Sequence, residues 1–274
     1  MIWWLDCMEV SRSGYHSWKT KPLSERSKQD KQLLQKIRQI HTGSRRTYGY
    51  PRVHAELKDN GETCGKHRVY RLMKENGIQA HMARKQKRSR DAKHMEGFED
   101  NKLNRRFYAF EPNQRWVTDI TTIPTRNGYL HLAAVLDLYS RALIGWAMDT
   151  RMTTQLIKDA LTMALWRRGE PKNVLVHSDQ GSQYRSMDYQ LLLKDYELEC
   201  SMSRKGNCHD NAVMESFFHT LKTELTNHYR FKTAEEAKRS IFEYIEVFYN
   251  KKRRHSYLNY KAPFEYETMM ASGK

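Results

Sequence analysis

Trp116-Val-Thr-Asp-Ile-Thr-Thr-Ile123 is an apolar and β-branched run with one carboxylate near its centre, Asp119. Aromatic and β-branched residues favour strands, whereas Asp is depleted in them. A second apolar run, Val174-Leu-Val-His-Ser178, is followed at once by another carboxylate, Asp179. Burying a carboxylate costs free energy unless a cation shares its site. A carboxylate in or beside each apolar run therefore indicates that a cation binds nearby.

A third carboxylate, Glu215, lies in the helix-like segment 211–225. Three carboxylates that converge from two strands and a helix repel one another. A pair of divalent cations removes that repulsion and creates a phosphoryl-transfer centre. Taken singly, each residue also has a structural interpretation: Asp119 as an edge or turn residue, Asp179 as a loop residue or helix cap, and Glu215 as a surface helix position.

The order of predicted elements after residue 114 indicates an α/β fold. The strands are predicted at 116–123, 129–138, 142–148, 174–176 and 198–202, and the helices at 153–168 and 184–194. Asn127-Gly128 is expected to form the first turn and Ser140-Arg141 the second. This order matches a ribonuclease-H-like core, a mixed five-stranded sheet with flanking helices. Strands one and four lie side by side in such a core, which brings Asp119 and Asp179 together.

The first half of the chain predicts a helical DNA-binding region. Ser24 can cap a helix over 24–42, and helical segments follow at 48–61 and 66–76. The last two resemble a helix-turn-helix DNA reader, with four outward cations expected to contact DNA: Lys66, Arg68, Arg71 and Lys74. A purely structural helical hairpin with solvated cations is the alternative.

Charge supports a polyanionic partner, since the net charge is +16 and most of it lies in the first 110 residues. Residues 83–95 lack apolar periodicity and predict a basic linker. Its cations can lie along phosphates without reading sequence, or they can simply solvate a disordered spacer. The linker residues expected at DNA are Arg84, Lys85, Lys87 and Arg88.

Further cations lie near the carboxylates. Arg204 and Lys205 are expected to hold a phosphate, and Asp210 to cap the following helix rather than act as a fourth metal ligand. Lys222 shares a helix face with Glu215 and is expected to point toward DNA near the metals, unless it is only a solvated lysine. A helix over 233–249, capped by Thr233 with Glu236, precedes a tail of cations and aromatics in which Arg253 and Arg254 are expected to contact DNA.

Several classes of protein are disfavoured by the composition. No apolar run is long enough to span a bilayer, and the N-terminus has no signal-peptide pattern, so we expect the protein to stay in the cytoplasm where it is made. The cysteines Cys7, Cys64, Cys200 and Cys208 form no Cys-x-x-Cys pair. Reduced thiols are therefore expected, although Cys200, Cys208 and His209 remain a possible metal cluster with unusual spacing.

Three motifs together resemble the DDE transposases of bacterial insertion sequences, in particular the second-frame product (OrfB) of two-frame elements of the retroviral-integrase superfamily. They are Trp116-Val-Thr-Asp-Ile-Thr, His177-Ser-Asp-Gln-Gly-Ser-Gln-Tyr184, and the segment from Gly206 to Glu224. The region around Tyr48-Gly-Tyr-Pro-Arg-Val53 resembles that family's helix-turn-helix, and the tail His255–Pro263 resembles its C-terminal end.

The resemblance implies a catalytic and metal-binding triad of Asp119, Asp179 and Glu215, with Lys222 as the basic residue that follows. It implies two Mg²⁺ or Mn²⁺ ions, transposon ends and target DNA as substrates, and catalysis in a homo-oligomer on DNA. In such elements a first-frame product supplies a further DNA-binding and coiled-coil segment by fusion. This chain has no sustained heptad pattern, so we expect it to act by fusion or association with that product.

The domains expected from the sequence are a helix-turn-helix-like region over 1–82, a basic linker over 83–110, a ribonuclease-H-like core over 111–225 and a C-terminal completion over 226–274. The expected activity is Mg²⁺-dependent cleavage at transposon ends followed by strand transfer. A non-catalytic DNA-binding regulator and a ribonuclease-H-like nuclease without transposition are the two alternatives.

Overall fold

The computed structural model describes residues 11–20, 22, 24–81, 98–204 and 207–273, with the side chains of Trp18 and Cys208 excepted. The chain divides into two compact units, Met1–Ala80 and His81–Lys274. The second unit contains the mixed five-stranded sheet with packed helices that the sequence predicts. The predicted fold class, a ribonuclease-H-like core preceded by a helix-turn-helix-like region, is confirmed.

The first unit is helical. Its elements are α1 (Arg12–Thr20), α2 (Glu25–Gly43), α3 (Tyr50–Asp59) and α4 (Lys66–Glu75). Ser24 caps α2, since its side chain accepts the backbone N–H of Ser27 at 3.2 Å. The apolar residues that recur at helical spacing, among them Ile37, Val53 and Val69, are fully buried where α2, α3 and α4 meet. Helix α1 was not predicted, because its described side chains are mostly exposed and give no apolar stripe.

The sheet of the second unit consists of β1 (Arg115–Thr125), β2 (Gly128–Asp137), β3 (Leu143–Asp149), β4 (Leu175–Ser178) and β5 (Glu199–Met202). Its strand order is β3-β2-β1-β4-β5, so the expected adjacency of the first and fourth strands is confirmed. Strands β1, β2 and β3 are antiparallel neighbours, whereas β4 runs parallel to both β1 and β5. The first hairpin turn is formed by Arg126 and Asn127, one position earlier than predicted, because Thr125 pairs with Gly128.

Two helices, α5 (Thr154–Arg168) and α6 (Met187–Asp195), complete the core beside the sheet. Helix α5 buries a continuous apolar face that includes Leu156, Ala160 and Leu161. It approaches β3 so closely that a Cβ at Gly145 would collide with the backbone of Ala160 and the side chain of Ala164. A glycine at that position is therefore a packing requirement rather than a source of flexibility.

The rest of the second unit follows β5. A 3₁₀ turn (Cys208–Asn211) leads into α7 (Ala212–Leu221), a π-helical turn (Lys222–Thr226), α8 (Ala234–Glu243), a second π-helical turn (Tyr244–Tyr249), a 3₁₀ turn (Ser256–Leu258) and α9 (Pro263–Ala271). Thr233 caps α8 as predicted, since its hydroxyl accepts the N–H of Glu236 at 3.2 Å. Helix α9 was not predicted. Among the described helices, none is both long and apolar enough to cross a membrane.

Candidate active site

Asp119 lies within β1, and Asp179 directly follows the last residue of the adjacent parallel strand β4. In the register of β1 and β4, Val117 pairs with His177, and each aspartate follows its strand's paired residue by two positions. Side chains two residues apart on a strand point to the same side, so continuing this register by two residues directs both carboxylates to one face of the sheet. The sheet thus brings together two residues that are far apart in the sequence.

The electrostatics of Asp119 show that the carboxylates are neighbours. Burial raises the pKa of Asp119 to about 7, and the negative charges of Asp179 and then Glu215 add to that rise. The backbone N–H of Ile120, which donates to Asp119 Oδ1 at 2.8 Å, opposes the shift, as does the positive charge of Lys222. Like charges at one site disfavour ionisation, which is the behaviour of carboxylates that share a site without a cation.

The loop after β4 holds Asp179 in place. The backbone N–H of Gly181 donates to Asp179 Oδ1 at 2.9 Å, and a Cβ at Gly181 would lie 3.0 Å from the same oxygen. The side chain of Gln180 donates to the carbonyl of Ser203 at 3.0 Å. Partial burial raises the pKa of Asp179, and the Gly181 N–H opposes this rise.

Tyr184, at the end of the same motif, anchors the loop to strand β1. Its ring is fully buried, and its hydroxyl is 3.2 Å from the Thr118 hydroxyl, one residue before Asp119. The sequence places Gln180, Gly181 and Tyr184 in the motif His177–Tyr184 but predicts no individual role for them. Their roles depend on contacts across the fold, for which the sequence carries no signal beyond the motif itself.

Helix α7 brings Glu215 to the two aspartates. The Asn211 side chain, just before the helix, donates to the carbonyl of Thr118 at 3.2 Å. This bond ties the start of α7 to strand β1 beside Asp119, and Glu215 follows one helical turn later with its side chain exposed. The contribution of Glu215 to the raised pKa of Asp119 agrees with this position.

Lys222 also faces the carboxylates. It begins the π-helical turn after α7, where the helix widens, and it is half-buried. Burial lowers the pKa of Lys222, and the charge of Asp119 opposes that effect. The lysine is therefore an electrostatic neighbour of Asp119 rather than a fully solvated side chain.

Asp210 has a different role from the helix cap that the sequence predicts. No side chain caps α7; the fully buried Asp210 accepts hydrogen bonds from Asn101, Arg105 and Arg204 instead. These bonds, Arg204 first, hold the pKa of Asp210 well below its usual range. Arg204 Nε and Nη2 each donate a hydrogen bond to the Asp210 carboxylate at 2.9 Å. The expected phosphate contact of Lys205 lies outside the described residues.

Buried His177 supports the same loop. Its two ring nitrogens lie 2.8 Å from the hydroxyl of Ser201 and 3.1 Å from the hydroxyl of Ser203. Burial lowers the pKa of His177 to about 4, so the ring is neutral at pH 7. The neutral imidazole of His177, two residues before Asp179, thus links β4 to Ser201 of β5 and to Ser203 just after it.

The three carboxylates fit divalent cations by chemistry. Carboxylate oxygens are the hard ligands that Mg²⁺ and Mn²⁺ prefer. Burial and then the charges of Asp179 and Glu215 raise the pKa of Asp119, and a bound cation would favour its ionised form. Within the described residues, no three His, Cys, Asp or Glu side chains are already close enough together to hold a metal ion. Cys64 and Cys200 are free thiols, whereas Cys7 lies outside the described residues.

The cations expected at DNA on helix α4 fall into two groups. Arg68 and Arg71 both donate to Asp30 of α2, at 2.6 and 2.7 Å, and are only half-exposed. Lys66 and Lys74 are exposed instead, and each lies over a tyrosine ring, 5.7 Å from the centre of Tyr50 and 6.0 Å from that of Tyr70. The two lysines and two tyrosines thus form an exposed surface, while the arginines tie α4 to α2.

The expected role of Arg253 requires correction. The Arg253 guanidinium is buried and donates to both carboxylate oxygens of Glu224, at 2.7 and 2.8 Å. Arg254 is also buried, and it donates to the carbonyl of Tyr260 at 2.9 Å. These arginines hold the tail against the core, so neither presents its charge to DNA. The linker residues Arg84, Lys85, Lys87 and Arg88 lie outside the described residues.

Comparison with known proteins covers both units. A family model described as "Integrase core domain" matches residues 109–208, a second of the same description matches 215–270, and an "HTH-like domain" matches 28–86. The chain is 43% identical over 254 residues to an uncharacterized 31 kDa protein of insertion element IS600 from Shigella sonnei, with 93% of each chain covered. It is 42% identical over 262 residues to the transposase InsF for insertion sequence IS3A of Escherichia coli strain K12, covering 95% of this chain and 91% of that protein.

Among solved structures, a simian T-cell lymphotropic virus intasome in complex with a PP2A regulatory subunit gives a TM-score of 0.47 at 16% identity. That match covers 83% of this chain and 73% of the other.

Proposed function

We propose that this chain, which belongs to the IS3 family of insertion-sequence transposases, breaks and joins DNA strands at a site formed by Asp119, Asp179 and Glu215. The observation that carries the proposal is the raised pKa of Asp119, which the charges of Asp179 and Glu215 help to produce. Three carboxylates from β1, the end of β4 and α7 are thus electrostatic neighbours on one side of the sheet. Transposase function is what the relatives support, and the carboxylate site is our assignment of its chemistry.

The substrate that we propose is the DNA of the element's ends and of the target. A net charge of +16 and an HTH-like unit suit a polyanion. In that unit, exposed Lys66 and Lys74 lie beside Tyr50 and Tyr70 on one surface. We assign phosphate contact to these lysines, and a structural role to Arg68 and Arg71.

An integrase-type core implies the use of divalent metal, and we propose two Mg²⁺ or Mn²⁺ ions held by Asp119, Asp179 and Glu215. When bound, such ions polarise the phosphate and stabilise both the attacking and the leaving oxygen of an in-line displacement. The donor set fits, because all three residues offer carboxylate oxygens and because Lys222 and the Ile120 N–H offset their mutual repulsion only in part.

The protein's own residues then orient the reaction. With a pKa of about 7, Asp119 is about half-protonated at neutral pH and must lose that proton to act as a ligand. The Gly181 N–H fixes one oxygen of Asp179, and Asn211 fixes the start of the helix that carries Glu215. We assign to Lys222 contact with a phosphate of the bound strand, and its electrostatic interaction with Asp119 supports this role.

Strand joining distinguishes this function from the alternatives. Purified protein is incubated with Mg²⁺, a labelled duplex that ends in the element's terminal sequence, and a target plasmid. We expect labelled ends to become joined to the plasmid, and EDTA to abolish joining while leaving end binding intact. A simple nuclease would cut without joining, and a non-catalytic regulator would only bind. Either of those results would refute the proposal.

We also propose that the active form is a homo-oligomer assembled on DNA at the bacterial nucleoid, and that the first-frame product of the element assists end recognition by fusion or association. Measuring joining with this chain alone and with the fused product tests the last point. Equal rates and equal end selectivity would remove the need for the first-frame product.

A further inference from the structure

A cavity of about 220 Å³ lies beside helix α7, on the side of the helix away from Glu215. Its α7 wall includes Val213, Ser216, Phe217 and Thr220, a spacing that defines one helical face. At about 100° per residue, Glu215 points away from that face. The opposite wall includes Tyr257 from the aromatic tail. The cavity is therefore separate from the carboxylate site yet built on the same helix.

Arg141 contributes an unusual donor group to this cavity. Its side chain is only 6% exposed, and its Nη2 donates to the carbonyl of Phe107 at 2.6 Å. Nε and Nη1 are buried, and no acceptor among the described residues meets hydrogen-bond geometry with either atom. Burial lowers the pKa of Arg141, and the neighbouring Tyr257 side chain partly offsets that effect. Because a buried donor without an acceptor costs free energy, this position favours a ligand that brings an acceptor.

Aromatic side chains frame the same donor. The Arg141 guanidinium lies over the Tyr257 ring, 4.1 Å from its centre, and Phe217 lines the cavity from α7. Tyr257 is half-exposed at 53%, so one approach to the cavity is open. A ligand that fits this cavity is therefore expected to have a flat or apolar ring system that carries hydrogen-bond acceptors.

We propose that this cavity receives an unpaired base of the DNA that the protein holds, with the base against Phe217 and Tyr257 and an acceptor of its edge on Arg141. The inference rests on the proposed function, because it takes the bound DNA as the source of the base. Nucleobases are flat and carry edge acceptors, and proteins that take a base out of the stack hold it between aromatic walls. Guanine fits best, since O6 and N7 are both acceptors, whereas adenine replaces O6 with a donor.

A base fits this cavity better than a phosphate alone. A phosphate would lose its hydration against walls that include Val213 and Phe217, and Arg141 is the lining residue that carries a permanent positive charge to compensate for it. The tail also gains a role that its buried arginines do not supply. Tyr257 of the tail is exposed and accessible for base contact, whereas Arg253 and Arg254 are buried.

The test measures binding of uncharged deoxyguanosine by ligand-observed NMR, with deoxyadenosine and 2-deoxyribose 5-phosphate as comparison probes. We expect deoxyguanosine to bind at least fivefold more tightly than deoxyadenosine, in line with Arg–guanine discrimination. Ser216→Phe fills the cavity from an exposed helix position and should weaken binding at least tenfold. Gln155→Phe, which adds the same bulk at an exposed position of α5, should bind as the wild type does.

A second arm identifies the source of the base. A duplex with one bulged guanine should bind more tightly than the fully paired duplex, and Ser216→Phe should remove the difference. Equal binding of the two duplexes would overturn the assignment to DNA, and equal binding of deoxyguanosine by Ser216→Phe and wild type would overturn the cavity itself. Tighter binding of the sugar phosphate than of deoxyguanosine would identify an anion site and refute the proposal.

Both arms are run in EDTA and need no catalysis. If these binding results fail while Mg²⁺-dependent joining proceeds, the cavity assignment is wrong and the proposed function stands. If joining fails while the base binds, the proposed function is wrong instead.

Discussion

Asp119 and Asp179 each lie two residues beyond a directly paired couple, Val117 and His177, on adjacent parallel strands. This shared register directs both carboxylates to one side of the sheet. The hydrogen bond from the Asn211 side chain to the Thr118 carbonyl holds the start of helix α7, which carries Glu215, against strand β1. The consequence is a concentration of negative charge that the folded protein tolerates by keeping Asp119 partly protonated.

The first prediction concerns stability and pH in EDTA. The folded-state pKa of Asp119 is about 7 against an ordinary value of 3.8, so its contribution to stability is full below pH 4 and is lost as the pH rises through 7. Asp119→Asn removes that loss and should stabilise the protein at pH 8 by roughly 1–3 kcal/mol. Thermal unfolding at pH 5 and pH 8 measures the effect, with Asp188→Asn, an exposed aspartate of α6, as the control.

Mg²⁺ should reverse the same trend. The ion must displace the proton of the Asp119 carboxyl group, so its stabilisation of the wild-type protein should grow between pH 6 and pH 8. The stabilisation should be much smaller for Asp119→Asn, which lacks that carboxylate. Equal stabilisation of both proteins at pH 8 would show that Asp119 is not a ligand.

The second prediction concerns Gly181. A Cβ at this position would lie 3.0 Å from Asp179 Oδ1, so Gly181→Ala should displace the carboxylate without exposing any core residue. Since small misplacements of reacting groups are costly, we expect strand joining to fall about 10- to 100-fold while the melting temperature changes little. Gly43→Ala, where nothing lies within 4 Å of the added Cβ, is the matched control and should join normally.

The third prediction concerns the loop before α7. Asp210→Asn weakens the bonds to Arg105 and Arg204 and should destabilise the protein by about 1–3 kcal/mol at pH 7. Since the pKa of Asp210 is lowered on folding, its contribution is present above pH 4 and is lost as the pH falls below it. Denaturant unfolding should show a smaller difference between variant and wild type at pH 3 than at pH 7, because the contribution of the carboxylate declines gradually below pH 4. A difference of equal size at both values would exclude the ionic origin.

The sequence predicts most of the fold because burial imposes periodicity. The strands and the helices with apolar stripes were found, whereas α1, with few buried residues, and α9 were not. Pro263 at the first turn of α9 was an available signal, since proline favours that position.

The site was predictable only in part, for a physical reason. Asp119, Asp179 and Glu215 occur in distinctive local motifs, but the partners of Asp210 and Arg253 are distant in the sequence. Arg105 lies 105 residues from Asp210, and Glu224 lies 29 from Arg253. A surface cation and a buried ion-paired cation look alike in a sequence, so Arg253 was assigned to DNA although it is buried.

The fourth prediction separates the two groups of cations on α4. Replacing both Lys66 and Lys74 with Ala should weaken DNA binding and reduce the slope of log affinity against log salt by about 2, or 1 for each phosphate contact. Arg68→Ala should chiefly destabilise the helical unit, because it breaks the bond to Asp30. Lys28→Ala, on the exposed surface of α2, serves as the control. If Arg68→Ala changes the salt slope as a single lysine does, the division is incorrect.

The central claim is that Asp119, Asp179 and Glu215 hold the ions that drive strand joining, and metal-dependent joining by cysteine variants tests it most directly. Each carboxylate is replaced in turn by Cys, whose softer thiolate suits Mn²⁺ better than Mg²⁺. We predict that all three variants bind end DNA normally, lose joining more than about 100-fold in Mg²⁺, and recover part of it in Mn²⁺. Wild-type joining in Mg²⁺ by any one of the three would contradict the claim.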